Sequence, residues 1–223
     1  MDRLNNVVSD YEILGENQIA YRKGYQTSDH IFTLRAIIEN SFGNKGTLYL
    51  CFVDFKNAFD SINHKELLKK LVTVGINGNY LRIISSLYSK VKYCVRGVDG
   101  LTDIFSCSRG VRQGCLLSPL LLALYLNDLD NCIRESSSGV SVGDERIHTL
   151  LYADELVLMA KDPADLQSQL DALATFSSSI KMEMNMDKTK IMVLRNKKRQ
   201  SRAMSCNQPK WFLGCSELYY SYL

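Results

Sequence analysis

Leu150-Leu151-Tyr152-Ala153-Asp154-Glu155-Leu156-Val157-Leu158-Met159 is a pair of apolar runs around two adjacent acids. Runs of this length, bounded by turn-compatible residues, read as buried strands. The simplest geometry is a hairpin with Ala153, Asp154 and Glu155 at its tip. Two carboxylates beside buried strands are costly unless something neutralises them, and bound divalent cations would do so. The stretch therefore asks for a metal and for at least one more acid. Asp54 is the best candidate, because it interrupts another apolar run, Leu48-Tyr49-Leu50-Cys51-Phe52-Val53-Asp54-Phe55. If the two strands lie side by side, Asp54 and Asp154 can share Mg2+, which is commonly held by one or two carboxylates plus substrate phosphates. Two such ions about 4 Å apart suit nucleotidyl transfer, one activating the attacking oxygen and the other steadying the leaving one. Each acid alone is weak evidence, since Asp154 also reads as a turn residue.

The 223 residues are 46% hydrophobic, enough for one domain or for two lobes sharing an interface. No apolar run approaches the roughly 20 residues needed to span a bilayer, so no membrane partner is expected. The N-terminus lacks the shape of a signal peptide. Seven cysteines without CxxC pairs, mostly inside apolar runs, read as reduced core residues of an intracellular protein rather than a zinc site or disulfide framework. The net charge of +3 is unevenly placed: from Lys181 onward nine Lys and Arg face three Asp and Glu, a local net of +6. The run Arg195-Asn196-Lys197-Lys198-Arg199 suits a phosphate backbone, and reads equally as a solvated loop.

Along the chain, Ile31, Leu34, Ile37 and Ile38 have helical spacing, with Ser28 or Asp29 as the expected cap. Asn63-His64-Lys65-Glu66 fits a capping box, and Gly75 a helix end. A second helix covers about Tyr80–Tyr88, and a hairpin folds about Asp99-Gly100. Ser118-Pro119 opens a helix over 119–134 that is apolar nearly all round, with Ser118 as N-cap. Strands follow at Val140–Val142 and Ile147–Tyr152, and Asp162 caps a helix whose inner face is Leu166, Leu170, Leu173 and Phe176. A strand covers Ile191–Leu194. This order predicts an α+β domain with helices on one face of an antiparallel sheet.

The motifs, in this order, resemble the reverse transcriptase domain of a non-LTR (LINE-type) retrotransposon. Gln18-Ile19-Ala20-Tyr21-Arg22-Lys23-Gly24 with Asp29-His30-Ile31-Phe32 is similar to the family's fingers motif. Phe52-Val53-Asp54-Phe55-Lys56-Asn57-Ala58-Phe59-Asp60 resembles the first catalytic motif of the palm, and Gly110-Val111-Arg112-Gln113-Gly114-Cys115-Leu116-Leu117-Ser118-Pro119-Leu120 the second. Tyr152-Ala153-Asp154-Glu155 stands in the place of a Tyr-Ala-Asp-Asp box, and Asn185 with Lys188-Thr189-Lys190 matches the following lysine motif.

The resemblance implies right-hand polymerase fingers at about 1–46 and 64–107 and a palm at about 47–63 and 108–195. A partial primer-grip region would follow at about 196–223, with no thumb. It implies RNA-directed DNA polymerisation onto a DNA primer 3′-hydroxyl, with an RNA template, dNTP, two Mg2+ ions and nuclear location. Asp54, Asp154, Glu155 and the Phe55 carbonyl would hold metal. Lys188 would stand near the leaving pyrophosphate, with Lys190 close enough to compete for that role. Arg22 and Lys23 would neutralise phosphates, Phe59 would exclude a 2′-hydroxyl, and Gln113 and Gly114 would lie against nucleotide and template. Lys190, Arg195, Lys197, Lys198 and Arg199 would touch nucleic acid. Phe59 reads equally as a core aromatic, and Arg22 and Lys23 as a solvated turn; Asp60 reads as structural, and the three histidines take no catalytic role.

Three departures qualify this. Glu155 stands where the family has its second box aspartate, and the extra methylene moves the carboxylate by more than about 1 Å, whereas catalytic geometry tolerates about half an ångström. Ala20 stands where the family usually has Gly. The chain stops inside the expected primer grip. The alternative expectation is a non-catalytic remnant of such an element, with at most weak nucleic-acid binding. A palm-fold nucleotide cyclase also pairs strand carboxylates, but the Gln113-Gly114…Ser118-Pro119 signature argues against it.

Overall fold

The computed structural model describes residues 2–44, 46–98, 100–195 and 217–220. The chain opens with α1 (Asp2–Asp10), α2 (Thr27–Gly43) and β1 (Thr47–Val53). Helices α3 (Ala58–Ser61), α4 (His64–Thr73) and α5 (Gly78–Ser89) follow. Next come four short strands, β2 (Lys92–Tyr93), β3 (Arg96–Gly97), β4 (Gly100–Leu101) and β5 (Phe105–Ser106), then α6 (Ser118–Tyr125) and α7 (Leu129–Ser136). The remaining elements are β6 (Val140–Val142), β7 (Glu145–Ile147), β8 (Thr149–Tyr152), β9 (Glu155–Ala160), α8 (Pro163–Ile180), β10 (Lys190–Arg195) and β11 (Glu217–Tyr220).

Five strands make the main sheet, in the order β11-β10-β1-β9-β8. β1 pairs antiparallel with both β10 and β9, and β8 with β9, whereas β11 joins β10 in parallel. The antiparallel expectation therefore holds for four strands, and the fifth departs from it.

Helices cover both faces, which corrects the one-face expectation. On one face Cys51, Val53, Leu156, Leu158, Ile191 and Val193 pack into the larger core, with Leu166, Leu173 and Phe176 of α8 and the apolar α6. On the other, Leu48, Leu50, Met159 and Leu194 pack with Ile37 of α2. This explains why β1 reads Leu-Tyr-Leu-Cys-Phe-Val without polar alternation: a strand with neighbours above and below gains from apolar side chains in both directions.

Helix ends follow local chemistry with three corrections. Asn63 caps α4 by accepting from the N–H groups of Lys65 and Glu66, and Asp162 caps α8 by accepting from Asp165 N–H. The cap of α2 is Gln26, whose N–H donates to Asp29 at 2.7 Å, so Asp29 serves from inside the first turn and Ser28 is not the cap. Ser118 lies inside α6, with Leu117 at the cap position, and its hydroxyl donates to the Arg112 carbonyl at 2.7 Å. The helix expected over 119–134 is two, because Asn127 turns away to engage a distant loop. Its amide donates to Ile13 O at 2.8 Å and accepts from Gly15 N–H at 3.3 Å. Among the described residues, no helix is long and apolar enough to cross a membrane.

Candidate active site

The register places the acids. Val53 pairs with Leu156 across β1 and β9, so Asp54, the next residue, reaches the level of the β8–β9 turn. That turn has two residues, Ala153 and Asp154, between the paired Tyr152 and Glu155. Strand alternation puts Phe52, Asp54, Glu155 and Val157 on one side. There they line a cleft of about 630 Å³ between α2 and the end of the sheet, together with His30, Leu34, Tyr152 and Lys188.

Asp154 is half-buried, and burial pushes its carboxyl above the usual range; its own backbone hydrogen bond opposes this, Asp54 adds to it, and Lys188 opposes it. Asp54 and Lys188 therefore both act electrostatically on Asp154. Lys188 Nζ is 3.3 Å from Asp54 Oδ2. Of the two lysines that competed in the sequence, only Lys188 reaches the acid: Lys190 Nζ donates to the Asp187 carbonyl at 2.7 Å. Asn185 anchors Asp54, its N–H donating to the Asp54 carbonyl at 2.7 Å and its Nδ2 to Oδ2 at 3.2 Å.

Phe55 is buried and faces Met184 in an antiparallel bridge. The bridge is closed by Asn185 N–H to Asp54 O and by Lys56 N–H to Glu183 O at 2.8 Å. In such a non-hydrogen-bonded pair the central residue's carbonyl points away from its partner. The Phe55 carbonyl thus turns toward the hairpin side. Among the described residues, no group of three His, Cys, Asp or Glu side chains is gathered for metal ligation. The arrangement is Asp54 and the exposed Glu155 along one cleft, with the half-buried Asp154 on the adjoining turn.

A second cleft, about 640 Å³, is lined by Phe59, Gln113, Gly114, Tyr21 and Pro119. The chain bends sharply into α3 at Asn57, which is left-handed at φ 45°. The 110–118 loop is tied to α3 by Gly110 N–H to Ile62 O and Val111 N–H to Phe59 O, both 2.8 Å. Gln113 Nε2 donates to both oxygens of Asp60 at 3.2 Å, which gives Asp60 a definite structural task. Phe59 is half-buried against the core, so its packing and its exposure to the cleft coexist.

Several expected site residues lie elsewhere. Arg22 Nη1 donates to the carbonyls of Gly15 at 2.8 Å and Gln18 at 3.1 Å, and its guanidinium stacks 4.5 Å over Tyr25, so it braces its own loop. Lys23 is exposed nearby. Arg195 pairs with Thr47, at the sheet end opposite Asp54 and about 20 Å away along the strand. Lys197, Lys198 and Arg199 lie outside the described residues, as does most of the expected primer-grip region.

Sequence reasoning assigned no individual role to Gln18. It is 3% exposed and clamps the turn: Nε2 donates to Ala153 O at 3.1 Å while Oε1 accepts from Ala153 N–H at 3.0 Å. Ala153 has φ +59°. Positive φ at the first of two turn residues is usually glycine's place, and an L-residue there costs about 1–2 kcal/mol. Two net hydrogen bonds of about 1 kcal/mol each offset that cost. The segment carrying Gln18 is itself strapped to β8. Ile19 N–H reaches Leu151 O at 3.2 Å and Leu151 N–H reaches Asn17 O at 2.8 Å. His30 Nε2 sits 2.9 Å from Leu151 O and 3.1 Å from Asn17 O, so that nitrogen carries the proton.

Comparison with known proteins names the class to which this fold belongs. A family model described as reverse transcriptase (RNA-dependent DNA polymerase) matches residues 1–216, and the chain belongs to that family. Among curated proteins it is similar to the retrovirus-related Pol polyprotein of the type-2 retrotransposable element R2DM of Drosophila melanogaster. They are 25% identical over 191 residues, 86% of this chain and 18% of the relative. It is also 23% identical over 218 residues to the RNA-directed DNA polymerase of the mobile element jockey of Drosophila funebris, 92% of this chain and 23% of that protein. The chain thus spans about a fifth of these relatives, and the non-LTR retrotransposon resemblance read from the motifs stands. Among solved structures, apo telomerase from Candida tropicalis superposes with TM-score 0.64 at 17% identity, over 92% of this chain and 40% of that one. Telomerase from Candida albicans, solved with a telomeric RNA fragment, gives TM-score 0.58 at 14% identity, over 90% and 33%. These likenesses support the polymerase fold.

Proposed function

We propose that this chain is the fingers and palm of an RNA-directed DNA polymerase, adding deoxynucleotides to a DNA primer 3′-hydroxyl on an RNA template. The observation that carries the reading is the register that brings Asp54, at the end of β1, level with the β8–β9 turn carrying Asp154, with Lys188 Nζ 3.3 Å from Asp54. One carboxylate on a half-buried turn and another at the end of the neighbouring strand fit Mg2+, which needs few protein ligands when substrate phosphates supply the rest. Asp54, Asp154 and the Phe55 carbonyl would hold it, with Glu155 alongside. When bound, the ions supply the charge that activates the attacking oxygen and steadies the leaving one.

The chain's own residues do the rest. Asn185 holds the Asp54 carboxylate in place, and Lys188 offers a cation, and a proton, where pyrophosphate departs. Phe59 and Gln113 flank the second cleft, where the sugar and base of the incoming nucleotide would lie, and Gly114, at φ +80°, lets the backbone come close to the template. Contacts from Lys190 and Arg195, and from Lys197, Lys198 and Arg199, would go to the nucleic-acid backbone and position it without reading sequence. Nuclear location follows from the same kinship.

The test is Mg2+-dependent incorporation of one dNTP on an RNA template with a DNA primer. Asp54→Asn abolishes it; incorporation surviving that change refutes the reading. A second reading, a remnant with at most weak nucleic-acid binding, is favoured by Glu155. Glu155→Asp decides between them. A large gain supports a polymerase impaired by one methylene, and no incorporation in either form supports the remnant.

A further inference from the structure

The turn that carries Asp154 does not hold its shape alone. Ala153 sits at φ +59°, where a Cβ is unfavourable. Its N–H and carbonyl are both taken by one side chain 135 residues earlier in the chain, Gln18. Gln18 Oε1 also accepts from Ala20 N–H at 3.2 Å, which fixes which end of the amide faces which group. An amide is the side chain that can donate and accept at once across so short a span. Gln18 is in turn immobilised by the Asn17–Ile19 bridge to Leu151 and by His30. Behind it, Asn17 Nδ2 donates to Thr149 Oγ1 at 2.9 Å, Thr149 bonds Asp130, and Arg134 holds Asp130 at 2.5 Å.

We propose that Gln18 is a positioning residue for Asp154. It holds Ala153 in the left-handed conformation and so sets the direction in which the next residue offers its carboxylate to Asp54. The cation affinity of the acid pair then depends on a side chain that contacts neither acid. This rests on the reading of Asp154 as a cation ligand. A rotation at Ala153 toward negative φ would re-aim the Asp154 carboxylate relative to Asp54, because the atoms beyond the rotated bond move with it. Glycine at 153 would tolerate positive φ without help, so the requirement for Gln18 is tied to the alanine.

The experiment is Mn2+ binding to the full chain, read as loss of the free-ion electron paramagnetic resonance signal, at a temperature where circular dichroism shows every variant folded. Gln18→Ala weakens Mn2+ binding about tenfold, equal to about 1.4 kcal/mol. Adding Ala153→Gly to Gln18→Ala recovers most of that loss. Gln18→Met, which fills similar volume with neither polar group, carries the same expectation where the alanine variant does not fold. Unchanged Mn2+ affinity in Gln18→Ala or Gln18→Met overturns the inference, as does a double variant as weak as Gln18→Ala alone. Asp154→Ala separates the two readings. If it leaves Mn2+ binding intact, the acid pair is not the cation site. If it abolishes binding while Gln18→Ala does not alter it, only the positioning role fails.

Discussion

Asn185 grips Asp54 at two points, backbone N–H to carbonyl at 2.7 Å and side-chain amide to carboxylate at 3.2 Å. The first bond continues the sheet past the end of β1, and the second aims the carboxylate. Asn185→Ala keeps the first and removes the second. The expected cost is about 0.5–1.5 kcal/mol of unfolding free energy, measured by urea denaturation. Asn185→Asp sets a second carboxylate against the first, so it destabilises more without metal and regains stability when Mn2+ is added.

Lys188 competes with any cation for Asp54. Its side chain is 67% exposed, so the ion pair adds little to stability, and Lys188→Met changes the denaturation midpoint slightly. Removing the positive charge favours a bound cation, so Mn2+ affinity rises by a few-fold. Single-nucleotide incorporation falls in the same variant, because under the proposed function Lys188 would meet the departing pyrophosphate. Titration and rapid-quench kinetics on one preparation show whether the two effects move in opposite directions.

Gly110 has φ +86°, and a Cβ there would sit 3.3 Å from the Asp60 carbonyl oxygen. Gly110→Ala therefore strains both the backbone and the contact that holds the Gln113 loop against α3. The expected loss is about 1–3 kcal/mol of stability, measured by chemical denaturation. A higher KM for dNTP should accompany it, because Gln113 and Phe59 share the cleft that would take the nucleotide.

His148, buried beside Gly139, supplies a pH dependence that needs no metal. Burial, with Arg134 adding to it, holds its imidazole below the ordinary value of 6.5, and Asp130 and Asp165 oppose the shift. The neutral ring is thus preferred in the fold, and the unfolded chain binds the proton more readily. Its contribution to stability is complete above about pH 6.5 and is lost as pH falls from there to the depressed folded value. His148→Gln should flatten that part of the stability profile, measured by thermal denaturation across pH 5 to 7.5 as about one fewer proton taken up on unfolding.

The adjacency of the strands that carry Asp54 and lead into Asp154 was legible because long apolar runs broken by a single acid admit few other geometries. The caps at Asn63 and Asp162 were legible because they act within one turn of chain. What escaped depends on contacts distant in sequence. Gln18 gains its partner only when the chain returns at Ala153, and no local pattern marks a glutamine as a clamp. Arg22 looks like any basic turn residue until Gly15, Gln18 and Tyr25 close around it. The break between α6 and α7 follows from Asn127 reaching residues 13 and 15, which outweighs the helical propensity of the apolar run. The second covered face was implicit in the missing alternation of β1, but the same apolar run also suits a one-sided sheet with a few exposed residues.

The central claim is that Asp54 and Asp154 share a divalent cation. A crystal of the full chain soaked in Mn2+, standing in for Mg2+, tests it through the anomalous difference map. The account predicts a peak at the β8–β9 turn, about 2.1 Å from a carboxylate oxygen of each aspartate. A peak bound by only one of the two, or occupied Mn2+ sites elsewhere with none at this turn, contradicts it.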